Sequence, residues 1–302
     1  MRLACFVVAL CGASALAAQA PRVTVAPAAA APGSIVRLSI VPTDSSPDSV
    51  VAVEGRMAGE PLRFLRSDSG QFRAIGAVPV EASDSVAASV VLRRASGSLD
   101  SLQVSVQVPH TEVATTEPRL AVDNRFTRPL DARTQARIAR ENALARDVGR
   151  RAHDSAPMWT DEFLAPRQTR ITSQFGTGRM FNGTVASRHL GVDYAGATGA
   201  EVYAANRGVV ALVDTFFLAG RLIYIDHGGG VVTGYFHLSR PLVARGDTVA
   251  RGQLIGRVGA TGRVTGPHLH WAARYGTLAV NPLDLLGLEE RFYSGRLRSP
   301  SP

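Results

Sequence analysis

The 302-residue chain contains no lysine and only two cysteines, Cys5 and Cys11. Arginine therefore supplies all 33 basic residues, and the formal net charge is +8. Because both cysteines lie among the first twenty residues, the rest of the chain has no thiol and no disulfide. Any metal site there must use histidine, aspartate or glutamate. The arginines are dispersed, and no basic stripe with interleaved aromatic residues predicts nucleic-acid binding.

Long apolar runs are also absent. The N-terminal segment MRLACFVVALCGASALAAQA has one arginine, an apolar run too short to span a bilayer, and then small residues. This order is typical of a secretory signal peptide, and Ala15 and Ala17 fit its cleavage rule. We therefore predict a signal peptide over residues 1–20, export to the periplasm, cell envelope or medium, and no stable membrane span. Lipid anchoring at Cys11 is disfavoured because the preceding Leu10 is bulky.

Residues 21–110 alternate apolar and polar side chains in several short runs, separated by glycine and proline turns. This pattern is typical of short strands at regular spacing and predicts a β-sandwich-like accessory domain. No cluster of chemically reactive residues accompanies these strands, so we expect a non-catalytic role. The runs are SIVRLSIVP, SVVAVEGRM, EPLRFLRSDSGQFRAIGAVP, SVAASVVLRRASG and LDSLQVSVQVP.

Residues 111–165 predict a helical connector. The stretch DARTQARIARENALARDVGRRAHD consists mostly of strong helix formers, and Asp131 is placed to cap its start. Its apolar face is thin, which predicts a solvated helix packed loosely between domains, with His153 on the surface. Trp159 and Phe163 then indicate a docking segment.

Residues 166–290 return to strands and glycine turns, and residues 291–302 form a C-terminal tail. Five of the seven histidines fall in this region. Two of them flank a single leucine in GPHLHW, and on a strand positions i and i+2 lie on one face about 6.6 Å apart. Both imidazoles would then face one site, although half-buried packing also explains such a pair. The five are His189, His227, His237, His268 and His270.

Asp193 follows His189 by four residues in SRHLGVDYAG. A straight strand would hold these side chains about 13 Å apart, but Gly191 permits a bend between them. Two histidines and one carboxylate are a common catalytic zinc set, which leaves a fourth position for water. Alone, this spacing also occurs by chance.

Taken together, the motifs resemble those of the lysostaphin-type (LytM-type) zinc metallopeptidases. The resemblance covers about 120 residues, from about Gln174 to Leu286, with the motifs in order. It implies a β-rich half-barrel with a groove over an antiparallel sheet, and cleavage of peptide cross-links in bacterial peptidoglycan. The segments that carry it are RHLGVDYA, VYAANRGVVALV, IDHGGGVVTGYFHLS, VARGDTVARGQLIGRVGATGRVTGPHLHW and NPLDLL.

The resemblance also implies roles for particular residues. His189, Asp193 and His270 would bind one zinc ion per chain. His268 would be a catalytic histidine beside the metal, and His237 its partner. How these two divide proton transfer stays open.

Other residues near these motifs have two interpretations each. Tyr235 would share a strand face with His237 and line the substrate groove, or simply pack. Arg179 and Asn182 lie on a loop before the first ligand, where they would meet substrate or hold the turn. His227 would be a further site residue or, in the interpretation that we favour, a structural residue at a strand end with a hydrogen bond to the following turn.

These expectations combine into one functional hypothesis. The chain is a mostly β, secreted zinc metalloendopeptidase that hydrolyses amide bonds in peptidoglycan stem-peptide cross-links through a zinc-activated water. One alternative is a wall-binding or amidase-regulating module without its own activity. Another is a metallopeptidase that acts on secreted proteins. The connector and the segment MWTDEF could also restrict access to the groove. The cross-link type and the oligomeric state stay open.

Overall fold

The computed structural model describes residues 21–42, 49–67, 69–109, 119–183 and 185–288. The predicted signal peptide with its two cysteines, the predicted surface residue His110 and the predicted C-terminal tail from residue 291 lie outside the described residues. Within the described residues, no helix combines the length and apolarity needed to cross a membrane.

Two antiparallel four-stranded sheets form the N-terminal unit. Its strands are β1 (Arg22–Ala26), β2 (Ile35–Val41), β3 (Val50–Met57), β4 (Glu60–Leu62), β5 (Leu65–Arg66), β6 (Phe72–Ala77), β7 (Ser85–Arg94) and β8 (Leu99–Gln107). The strand orders are β1-β2-β6-β5 and β4-β3-β7-β8. Leu38 and Ala74 of the first sheet share a buried core with Met57 and Ala88 of the second. The alternation read from the sequence therefore produces a β-sandwich.

The C-terminal unit is built on a ten-stranded antiparallel sheet. A path of seven strands runs β10-β13-β20-β17-β16-β15-β18, while β14, β19 and β21 pair along it. These strands are β10 (Ile171–Ser173), β13 (Val192–Ala195), β14 (Glu201–Tyr203), β15 (Gly208–Phe216), β16 (Gly220–Asp226), β17 (Val231–Pro241), β18 (Thr248–Val249), β19 (Leu254–Val258), β20 (His268–Tyr275) and β21 (Leu278–Val280).

Smaller elements flank this sheet. The hairpin of β11 (Gly178–Phe181) and β12 (Val185–Arg188) is joined by the short β9 (Arg119–Leu120), which pairs in parallel with β11. A 3-10 turn, Asn124–Phe126, precedes the helix α1 (Ala132–Arg151), and a short helix α2 (Leu283–Leu286) follows the last strand. The described chain is thus mostly β with one connecting helix, as the sequence predicts.

The two faces of the large sheet have different partners. On one face Tyr235 and Trp271 are fully buried in the main core, together with Trp159 and Phe163. The docking segment predicted from these two aromatic residues is therefore docked, but on the face opposite His270. Because the segment MWTDEF lies on that opposite face, its placement gives no support to the idea that it restricts access to the groove.

Helix α1 packs on the other face of the sheet. Asp131 caps the helix as predicted, since its Oδ1 accepts a hydrogen bond from the Thr134 amide at 2.7 Å. The prediction of loose packing is wrong. Ala145 and Val148 are buried against the sheet, and a Cβ at Gly149 would lie only 1.9 Å from the Gly276 carbonyl oxygen. Small residues allow the thin apolar face to approach the sheet closely.

The prediction of a surface position for His153 is also wrong. Its side chain is only 10% exposed, and its Nε2 lies 3.1 Å from Oε2 of Glu60 in the sandwich. The same Glu60 accepts a hydrogen bond from the Thr277 amide at 2.9 Å. The histidine that follows the C-terminus of the helix therefore joins the two β units at their contact.

Candidate metal centre

Three side chains converge where β13 pairs with β20. The register places Asp193 directly opposite His270, and His189 lies just after β12. His189 Nε2 is 3.0 Å from Asp193 Oδ1 and 2.9 Å from His270 Nδ1. His270 Nδ1 is itself 2.9 Å from Asp193 Oδ1. The fold thus assembles a candidate metal-ligand set from strands β13 and β20 and the loop that connects β12 to β13.

The donor atoms fit a tetrahedral zinc ion. With zinc bonds of about 2.0–2.1 Å, ligand atoms of a tetrahedral site lie roughly 3.3 Å apart, close to the separations here. His189 Nδ1 is 2.7 Å from the Gln174 carbonyl oxygen. That carbonyl can only accept, so the proton resides on Nδ1 and the Nε2 lone pair is free for a metal.

Gly191 provides the space for this convergence. A Cβ at this position would lie 2.5 Å from His270 Nε2 and 2.6 Å from the Trp271 carbonyl oxygen. The glycine between His189 and Asp193 is therefore required because the His270 imidazole and the backbone of β20 pass directly against it.

The electrostatics favour the protonation states that a metal requires. Burial alone would raise the pKa of Asp193, but the close contacts of its carboxylate with the His189 and His270 imidazoles outweigh burial and hold that pKa well below its usual range. Arg179 adds an Nη2 contact of 2.5 Å to Asp193 Oδ2. Burial lowers the pKa of His270 to about 4. An ionised carboxylate and a neutral imidazole are the forms that coordinate metals.

Two further histidines border the three candidate ligand atoms. His237 Nδ1 lies 2.8 Å from the Thr261 carbonyl oxygen, and His268 Nδ1 lies 2.8 Å from the Gly266 carbonyl oxygen. Both rings thus carry the proton on Nδ1 and keep a lone pair on Nε2. Their centroids are 5.0 Å apart, and His268 Nε2 is 3.7 Å from Asp193 Oδ1.

Burial, followed by the neighbouring His268 and His270, lowers the pKa of His237 well below its usual value. A buried neutral imidazole with a free Nε2 can accept a proton from water or substrate. The arrangement of a His-Asp-His set beside His237 and His268 can support hydrolysis.

Residues 187–282 match the family model described as Peptidase family M23. This part of the chain is an M23 peptidase domain. The resemblance predicted from the motifs is therefore confirmed at the level of the domain, and the matched range contains all five residues of the candidate centre.

Curated relatives share this domain. The chain is 45% identical over 103 residues to peptidoglycan DD-endopeptidase ShyA of Vibrio cholerae serotype O1. The aligned residues are 34% of this chain and 24% of the relative. It is 43% identical over 118 residues to DD-carboxypeptidase/endopeptidase Mpg of Neisseria meningitidis serogroup B, covering 39% and 27% respectively. The chain thus matches about a quarter of the length of these relatives.

One solved structure is similar well beyond the M23 domain. A crystal structure from Pseudomonas aeruginosa described as a peptidase M23 superimposes with a TM-score of 0.62 and 25% sequence identity. The match covers 85% of this chain and 95% of that chain. The similarity therefore includes much of the sandwich as well as the M23 domain.

Of the two interpretations of Tyr235, packing agrees with the structure and groove lining does not; the predicted strand face shared with His237 is wrong. Tyr235 is fully buried on the core face, where its hydroxyl accepts a hydrogen bond from the Ala205 amide at 2.8 Å. The prediction assumed strict alternation between Tyr235 and His237. His237 instead has a φ of 62°, so the strand twists there and the imidazole lies on the side of His270.

Phe236 occupies the position that Tyr235 was expected to fill. It pairs with His270 in the sheet register, and the two rings stack with centroids 5.2 Å apart and an interplanar angle of 13°. Sequence reasoning missed this residue. The available signal was the register between GYFHLS and PHLHW, which the sequence alone does not fix.

The other two candidate groove residues have different positions. Arg179 lies at the site and contacts Asp193, as described above, so it lines the groove. Asn182 does not. It is exposed at the β11–β12 turn, and its side chain bonds the backbone of Val122 at 2.9 Å in both directions. It therefore holds the connector against the M23 domain, a structural role that we left open.

His227 lies outside the centre. It is fully buried, with Nδ1 2.7 Å from the Arg207 carbonyl oxygen and Nε2 2.8 Å from Thr233 Oγ1. Burial lowers its pKa to about 4. The structural interpretation agrees with these contacts, although the side chain bonds a neighbouring loop and strand rather than the hairpin turn.

Proposed function

We propose that this chain is an exported zinc metalloendopeptidase that hydrolyses amide bonds in peptidoglycan stem-peptide cross-links. The observation that carries the proposal is the convergence of His189, Asp193 and His270 beside two imidazoles with free Nε2 atoms. The names of the relatives, peptidoglycan DD-endopeptidase and DD-carboxypeptidase/endopeptidase, support the substrate class. Peptidoglycan is the proposed partner, in the periplasm, the envelope or outside the cell.

The proposed zinc site consists of His189 Nε2, Asp193 Oδ1 and His270 Nδ1, with one ion per chain. When bound, zinc would supply Lewis-acid polarisation of the scissile carbonyl and a lowered pKa for water. Arg179 holds the second oxygen of Asp193, so that Oδ1 is directed toward the two ligand nitrogens. Phe236 stacks on the His270 ring and limits its rotation.

His237 and His268 are the proposed catalytic residues. Each is oriented by a backbone carbonyl at Nδ1, so each presents Nε2 to the reacting groups. A neutral Nε2 takes the proton from the attacking water and, once protonated, stabilises the developing oxyanion or returns the proton to the leaving amine. Because these Nδ1 contacts fix the ring orientation of His237 and His268, neither ring has to rotate before its Nε2 takes part in proton transfer.

The domain division proposed with this function follows the sequence. Residues 21–110 would form the accessory domain, 111–165 the connector and 166–290 the catalytic domain, after a signal peptide over residues 1–20. The accessory domain would position the catalytic domain on its substrate.

A paired assay tests the function. We expect wild-type protein to bind one zinc ion per chain and to release uncross-linked muropeptides from purified peptidoglycan. His270→Ala should lose both properties. His268→Ala should keep zinc and lose cleavage by roughly 10²- to 10⁴-fold, because only proton transfer is removed. Elemental analysis and chromatography of the products provide the two readouts.

The alternatives predict other results from the same assay. Zinc binding and wall binding without cleavage by the wild type would indicate a regulatory module. Cleavage of a protein substrate with peptidoglycan left intact would indicate a peptidase of secreted proteins. Either result contradicts the proposal.

A further inference from the structure

The groove continues beyond the metal centre along strand β20. His268, His270, Ala272 and Arg274 alternate onto one face of the sheet, so the backbone at Arg274 lies about 13 Å from that at His270. A cavity of about 260 Å³ at the centre contacts His270, Phe236 and Arg274. A second cavity, of about 410 Å³, also contacts Phe236 and Arg274. The two cavities therefore adjoin and form one trough, which we call the β20 trough.

The far end of the β20 trough has walls from three parts of the molecule. Helix α1 contributes Ala145 and Arg146, the sandwich contributes Val80 and Glu81, and the sheet contributes Arg274. Nothing in the proposed chemistry uses these residues. Arg146 and Arg274 bring two positive charges to the same cavity.

Arg274 is a largely buried cation with few protein partners. Its Nη2 donates to the Thr277 carbonyl oxygen, while its Nε is buried and has no hydrogen-bond partner among the described residues. Burial lowers the pKa of its guanidinium. Within the described residues no carboxylate forms an ion pair with Arg274 or Arg146. Burial of a cation without such a partner is costly, which points to an external anion.

The carboxylates closest to this cavity have other partners or lie at its rim. Glu141 accepts from Arg137 Nε at 2.6 Å and from the Phe217 amide at 2.8 Å. Glu60 accepts from Thr277 and contacts His153, as described above. Glu81 is exposed at the rim. The Glu60 charge acts on Arg274 without forming an ion pair with it. The protein therefore leaves the outer Nη edge of the Arg274 guanidinium available to a ligand, while Nε stays enclosed.

We propose that the far end of the β20 trough is a substrate subsite in which Arg274, assisted by Arg146, binds a carboxylate of the peptide. This inference rests on the proposed function and adds a specificity determinant to it. A guanidinium binds a carboxylate through paired, charge-assisted hydrogen bonds. At about 3.3 Å per residue, an extended peptide that runs along β20 would place this carboxylate about four residues from the scissile bond.

The test compares two synthetic cross-linked peptides, one with free carboxylates and one with the same groups converted to carboxamides. Wild-type protein should cleave the carboxylate peptide with a KM about tenfold lower than that for the amide peptide. Arg274→Gln should remove this difference by raising KM for the carboxylate peptide alone. Arg274→Lys should restore part of it. Arg207→Gln, an exposed arginine outside both cavities, is the matched control.

Melting temperature and bound zinc should be the same in Arg274→Gln as in the wild type, which separates loss of recognition from loss of folding. An equal effect of Arg274→Gln on both peptides, or no effect on either, overturns the subsite. Binding of fluorescently labelled peptides is measured in parallel. If the wild type cleaves neither peptide, the proposed function fails; binding that still depends on both the carboxylate and Arg274 would then retain the subsite by itself.

Discussion

At the scale of single residues, His227 should make folding stability depend on pH. Its pKa is about 4 in the folded protein against an ordinary value of 6.5. Between pH 6.5 and pH 4, His227 is protonated in the unfolded chain and neutral in the folded protein. The free energy of unfolding therefore falls as the pH decreases through this range. We expect a loss of about 2–3 kcal/mol by pH 4.5, measured by urea denaturation.

His227→Gln is the comparison for this measurement. Glutamine does not titrate, so the variant should lose that part of the pH dependence while starting from a lower stability at neutral pH. Both proteins are treated with EDTA, so that no bound metal affects the protonation of His270. Burial lowers the pKa of His270 in both proteins, so the contribution of His270 cancels when the two pH dependences are subtracted. A variant with the same pH dependence as the wild type would show that His227 does not titrate in this range.

The candidate metal set was predicted through the family resemblance, because the spacing of His189 and Asp193 alone also occurs by chance. The structure brings these two side chains and His270 together, across the bend that Gly191 permits. The failure at Tyr235 has a local cause. The left-handed backbone of His237 interrupts the alternation, and a positive φ at a non-glycine residue leaves no pattern in the sequence.

At the scale of elements, the packing of α1 gives a prediction of reversed sign. Glycine to alanine inside a helix normally stabilises it by roughly 1 kcal/mol. Gly149→Ala should instead destabilise the protein by about 2 kcal/mol or more, because the new Cβ would lie 1.9 Å from the Gly276 carbonyl oxygen. Thermal or urea denaturation measures the change.

A control on the same helix separates propensity from contact. Ala143 is exposed on α1, so Ala143→Gly should cost about 1 kcal/mol through helix propensity alone. Stabilisation by Gly149→Ala would mean that the helix does not contact the β20–β21 turn as closely as described.

Most elements were predictable from local pattern, and their packing was not. Period-two alternation identified the strands, and Asp131 identified the start of α1. The position of α1 on the sheet depends instead on the contact of Gly149 with Gly276, two residues that are far apart in the sequence. The sequence predicted a solvated helix because Ala145 and Gly149 add little to an apolar face. The same small residues allow the helix to approach the sheet most closely.

At the scale of the whole molecule, the sandwich and the M23 domain are joined by buried polar contacts as well as apolar ones. Tyr275 donates its hydroxyl to the Pro61 carbonyl oxygen at 2.7 Å, and the Ile35 amide donates to Asp284 Oδ2 at 2.8 Å. Glu60 contacts both His153 and Thr277. Burial alone would raise the pKa of Glu60, but its hydrogen bonds from His153 and Thr277 lower it, so the carboxylate is ionised at neutral pH.

Glu60→Ala should therefore weaken the joint between the two units. The change removes the acceptor of the Thr277 amide and the partner of His153, in a place where Glu60 is only 7% exposed. We expect a loss of about 2 kcal/mol or more in the free energy of unfolding. Amide hydrogen exchange at Thr277 should become faster, since this amide donates to the Glu60 carboxylate.

Glu54 provides the matched control, because it lies on the neighbouring strand β3 with an exposed side chain. Glu54→Ala should leave both stability and exchange at Thr277 unchanged. If Glu60→Ala also leaves exchange at Thr277 unchanged, the carboxylate does not hold the turn, and apolar packing between the units must do so. Thr277 also lines the far end of the β20 trough. Faster exchange at Thr277 in Glu60→Ala would therefore show that Glu60, a residue of the sandwich, holds this part of the cavity wall in place.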